Sequence, residues 1–91
     1  MDANNEKINT ITDLYKRVLP ALKTKTSDLK RENFPFIKEL DIWNYCIDNK
    51  WKHKKDLRIY EMVDDILNLE ALKIEIYIRK KLIDRNEENE R

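Results

Sequence analysis

The chain contains no glycine, and its only prolines are Pro20 and Pro35. Tight hairpins and left-handed turns use glycine most readily, so its absence argues against a hairpin-rich sheet. The single cysteine, Cys46, cannot close an internal disulfide, which fits a reducing cytosol. No apolar run approaches the roughly 18 residues of a membrane span. Met1-Asp2-Ala3-Asn4-Asn5 has neither the basic nor the apolar region of a secretory signal, so the expected location is cytoplasmic. Formal net charge is only +1. No global field therefore attracts nucleic acid, and any basic site has to be local.

What is present is helix-forming. The 91 residues are 41% charged and 41% hydrophobic, rich in Lys, Glu, Leu and Ile, a mixture that suits amphipathic helices. The length fits a single domain over residues 1–91, with 1–4 and 85–91 frayed. A core of that size is modest, and dimerisation would be a natural supplement. The expected fold class is all-α: a small bundle of about four helices, open to dimer formation.

Periodicity supplies the elements. Residues 5 to 31 read as helix, with Ile8, Ile11, Tyr15, Val18 and Leu22 in one stripe. Pro20 should kink it, or end one helix near Arg17 and begin another near Leu19. Asn33-Phe34-Pro35-Phe36 reads as a connector pinned by its phenylalanines, with Phe34 extended before proline. Residues 36 to 49 form a second helix with Ile37, Leu40, Trp43 and Ile47 on one face. Asp56 is a plausible N-cap for a third, which turns Leu57, Tyr60, Val63, Ile66 and Leu67 inward and Glu61, Asp64 and Asp65 outward. From Leu69 to Asp84 the alternation of Ile74, Ile76 and Ile78 is strand-like, but the surrounding Glu, Ala, Lys and Arg favour helix.

Catalytic readings fail on residue supply. Cys46 and His53 could be a nucleophile and its base, but Cys46 lies beside an apolar face and fits a small buried hydrophobe better. Glu61, Asp64 and Asp65 share a helix face, yet no second cluster completes a metal site, and a solvated acidic face explains them. No enzyme activity, cofactor, metal or small-molecule substrate is expected. A helix-turn-helix is disfavoured, because the second helix would carry those three carboxylates toward phosphates.

Two binding surfaces remain. Lys50, Lys52, Lys54, Lys55 and Arg58 crowd around Trp51 and His53. Phosphates call for such cation density, and an exposed indole can stack on an unpaired base. The competing reading turns Trp51 inward and leaves the lysines solvated. Lys23 with Lys25, Lys30 with Arg31, and Arg79-Lys80-Lys81 would join this site only if folding brought them beside it. The second surface is the segment from Leu69 to Ile83, which has more apolar residues than one face can bury. Ile74, Tyr77 and Ile78 are its expected interface, for a second copy of the chain or a protein partner.

Several short elements carry a resemblance. They are Val18-Leu19-Pro20-Ala21-Leu22 followed by Lys25, then Glu39-Leu40 with Trp43, Lys50-Trp51-Lys52, and Val63-Asp64-Asp65-Ile66-Leu67-Asn68-Leu69. Their order and spacing over roughly residues 15 to 70 resemble the ComN-type post-transcriptional regulators, a family of small cytosolic proteins of low-GC Gram-positive bacteria. The resemblance implies control of gene expression at the level of mRNA, in some members of competence genes, with no enzyme activity and no cofactor. The charged extension through Arg91 departs from the family pattern by its length.

Overall fold

A computed structural model describes the backbone of residues 11–89 and the side chains of residues 11–84. Ile8 and the expected frayed residues 1–4 lie outside this range. Among the described residues all regular structure is helical. Helix α1 spans Ile11–Arg31, α2 Glu39–Tyr45, α3 Ile59–Leu67 and α4 Ala71–Asn89. The Ile74, Ile76 and Ile78 alternation is helical as expected: Ile74 is fully buried and Ile76 is exposed.

Helix α1 runs unbroken through Pro20, so the two-helix alternative does not hold. Pro20 is exposed, while Val18, Ala21, Leu22, Lys25, Thr26 and Leu29 of the same helix are buried. The buried face holds the helix together where local propensity would break it. α1 ends in a Schellman turn. The Phe34 N–H donates to Leu29 O at 2.8 Å and the Asn33 N–H to Lys30 O at 3.2 Å, with Asn33 at φ 73°. A chain without glycine uses asparagine here, one of the few other residues that tolerate the left-handed region. Of the two connector phenylalanines, Phe34 packs against the core, while Phe36 remains largely exposed.

The second helix begins later than its spacing predicts. The Asp41 carboxylate accepts the Lys38 N–H at 2.9 Å, and regular helix starts at Glu39. The buried face of α2 is Ile42, Trp43 and Cys46, and Leu40 is exposed. Residues Cys46–Lys50 continue as a π turn, closed by the Trp51 N–H on Cys46 O at 2.8 Å. Such widened turns re-aim the side chains that follow them.

Asp56 does not cap α3. It takes a left-handed conformation, φ 55°, and Glu61 supplies the cap by accepting the Arg58 N–H at 3.0 Å. Met62 and Ile66 form the buried face of α3, and Tyr60 and Leu67 turn outward. The register is shifted because the helix starts at Ile59. The far end of α3 is closed from another helix. Buried Lys25 of α1 donates its Nζ to Leu69 O at 2.8 Å and Leu67 O at 3.2 Å. An ammonium at a helix C-terminus also meets the negative end of the helix dipole.

α1 packs mainly on α3 and α2, and α4 lies on α2. Edge-to-face rings run through the centre, Tyr15 to Trp43 at 5.2 Å and Trp43 to Trp51 at 5.6 Å between centroids.

Candidate nucleic-acid interface

The basic connector begins where the π turn ends. Its fixed point is Trp51, which is buried. The indole meets Trp43 edge to face, and its Nε1–H donates to the Asp65 carboxylate of α3 at 2.8 Å. The stacking role expected of Trp51 is therefore not available to it, since its ring surface is spent on the core. The inward-turned alternative holds. Trp51 instead ties the connector to α2 and α3 at once. The Lys54 N–H on Trp51 O, at 3.2 Å, tightens the turn that follows.

Around that anchor, Lys50, Lys52, His53, Lys54, Lys55 and Arg58 are all exposed. Among the described residues none of their side chains forms an ion pair; the pairs present involve Asp13–Arg17, Asp28–Arg31, Glu70–Lys73, Glu75–Arg79 and Asp48–Lys81. The connector thus presents a group of cations with no intramolecular counter-charge, on a segment fixed at its buried tryptophan.

The other basic clusters separate on folding. Lys25 is buried under α3 and is lost to any surface. Arg31 pairs with Asp28 on its own helix. Arg79-Lys80-Lys81 behaves differently. Lys81 bridges to Asp48 in the π turn at 3.6 Å, and Lys80, Lys81, Asp48, Asn49 and Tyr77 line one depression of about 270 Å³. Folding therefore places Lys80 and Lys81 beside Asn49, the residue preceding the connector. Sequence spacing could not show this, because the two segments meet only when α4 docks on α2.

The metal reading of Glu61, Asp64 and Asp65 meets a different use of these groups. Asp65 receives the Trp51 indole and Glu61 caps α3. Among the described residues no group of three His, Cys, Asp or Glu side chains gathers to hold a metal ion. Cys46 is fully buried. Burial, with Asp65 nearby, pushes its thiol up to about 12 against an ordinary 9.0, while Lys50 acts weakly the other way. A thiol so held is a packing group rather than a nucleophile.

The expected protein interface is rearranged. Ile74 is fully buried, and Ile78 packs against the core. Tyr77 sits edge to face on Tyr45 at 5.4 Å and donates its hydroxyl to Asp48. These three residues are what binds α4 to its own bundle. The excess apolar surface exists, but it belongs to Leu72, Ile76, Leu82 and Ile83. Apolar residues on both faces gave the sequence no means of telling inner from outer; the docking of α4 on α2 made the choice.

Residues 11–84 match the model of a family described as post-transcriptional regulator. The chain belongs to this family. It is also 40% identical over 58 residues to "Post-transcriptional regulator ComN" of Bacillus subtilis (strain 168), a stretch covering 63% of this chain and 59% of that protein. The match thus spans less than two thirds of the relative's length. No solved structure matches the chain. The elements that carry the family resemblance contribute largely to architecture. Lys25 closes α3 through Leu67 and Leu69, Trp43 and Trp51 meet in the core, and Asp65 holds Trp51. Thr26 approaches Glu39 at 3.4 Å, linking α1 to the start of α2. No helix among the described residues is long and apolar enough to cross a membrane.

Proposed function

We propose that this post-transcriptional regulator acts on mRNA directly, through Lys50, Lys52, His53, Lys54, Lys55 and Arg58, with Lys80 and Lys81 extending the surface. The supporting observation is the set of exposed connector cations without carboxylate partners, held in place by buried Trp51. Phosphate contacts need solvated, unpaired cations, and a fixed backbone reduces the entropy lost on binding. With Trp51 withdrawn into the core, stacking is not part of this reading. Contact is with phosphates, and any selectivity rests on RNA shape. The site would work in the cytoplasm, where the transcripts are.

Changing Lys52, Lys54 and Lys55 together to glutamate should abolish the mobility shift of a single-stranded RNA and leave the circular dichroism unchanged. Wild-type affinity should fall steeply with salt, by about 0.7 in log–log slope for each phosphate contact. Unchanged binding by the triple variant would refute direct contact through the connector.

A second reading makes the chain an adaptor that reaches RNA only through a protein. The observation favouring it is the exposed apolar row on α4, which the fold leaves uncovered. Salt separates the two readings, since an apolar contact is little weakened by ionic strength.

A further inference from the structure

Helix α4 has two apolar faces. Ile74, Ile78 and half-buried Tyr77 face α2. With 100° per residue, Leu72, Ile76 and Ile83 fall on the opposite side, and they are 64%, 62% and 56% exposed. Leu69, Leu72, Ile76, Arg79 and Ile83 follow the alternating three- and four-residue steps of a coiled-coil seam. Arg79 interrupts the row, but its guanidinium folds back to Glu75 at 2.8 Å, toward one edge.

We propose that this outer face of α4 pairs with the same face of a second copy of the chain, in parallel. The charges bordering the seam select the occupant and its direction. One edge carries Lys73 and Lys80, both exposed, and the other carries Glu75. In a parallel pair related by a two-fold axis, the lysine edge of each helix faces the glutamate edge of the other, so Glu75 lies opposite Lys80 of the second copy. In an antiparallel pair the lysine edges face each other. The seam is thus self-complementary in one orientation and repulsive in the other. The bundle occupies the opposite side of α4, so both copies' α2 helices lie outside the contact. From Arg79 to Asp84 every residue is exposed, leaving this part of α4 free to pair. The contact does not depend on RNA binding.

Sedimentation velocity of the full chain, without RNA, tests the pairing. The expected result is a mass that rises with concentration from monomer to dimer. Ile76→Glu should leave the protein monomeric with its helical circular dichroism retained, since Ile76 touches solvent rather than core. Lys80→Glu, a fully surface change, should weaken the dimer about tenfold or more by setting like charges together. In an antiparallel pair it would tighten the dimer instead by facing Lys73. Ile83→Cys should give a covalent dimer on mild oxidation, because a parallel two-fold axis sets position 83 against itself, and buried Cys46 does not compete. A monomer at every concentration would overturn the proposal, as would a dimer indifferent to Ile76→Glu. Tightening by Lys80→Glu, or no Ile83→Cys crosslink, would overturn the parallel arrangement.

Discussion

Lys25 carries a charge into the interior and uses it to join two helices. Its ammonium has no carboxylate there, only the carbonyls of Leu67 and Leu69 at the end of α3. Those carbonyls are among the groups every helix terminus leaves unsatisfied. Lys25→Met keeps the aliphatic stem and removes the donor, so its effect isolates the hydrogen bonds. We expect a loss of about 1–3 kcal/mol, read from a urea titration by circular dichroism. An unchanged midpoint would mean that water replaces the ammonium at no cost. Trp51 is the companion case. A lysine-flanked tryptophan reads from sequence as a stacking platform, and nothing local marks Asp65, fourteen residues on, as its acceptor.

At the scale of the element, α1 carries a proline in its interior and still runs unbroken to Arg31. An interior proline costs a helix about 3 kcal/mol, and here packing of Val18, Leu22 and Leu29 offsets it. Because Pro20 itself is exposed, Pro20→Ala removes the cost without disturbing the core. It should raise stability by about 1–3 kcal/mol, less whatever the proline contributes by stiffening the unfolded chain. A lower denaturation midpoint for this variant would show that α1 depends on a bend at Pro20. α2 shows the reverse economy, since its regular part is short and the π turn carries it on to Lys50.

For the whole molecule, two buried or half-buried acids govern stability at alkaline pH. Burial pushes the Cys46 thiol up to about 12. Desolvation and the hydrogen bond to Asp48 push the Tyr77 phenol up as well. Both groups are protonated in the fold, so the unfolded chain releases protons first as pH rises. Their contribution is whole below the ordinary thiol value near 9.0 and is lost as pH climbs toward about 12. The urea midpoint should therefore fall between pH 8.5 and pH 11, and Cys46→Ala should flatten that fall. A Cys46→Ala profile that still falls as steeply as wild type would assign the loss to other groups.

The sequence by itself determined the all-α class, the helical reading of residues 71 to 84, the packing role of Cys46 and the basic character of the connector. These follow from composition and from periodicity within one segment, which short-range physics controls. Tertiary structure decided everything that depends on two segments meeting. It drew Trp51 inward onto Trp43 and Asp65, placed Lys25 at the end of α3, and carried α1 through Pro20. It brought Lys80 and Lys81 beside the connector by docking α4 on α2. It also chose which face of α4 is core, binding Ile74, Tyr77 and Ile78 and leaving Leu72, Ile76 and Ile83 in water. A helix with apolar residues on two sides has no inside of its own, and only the packing partner gives it one.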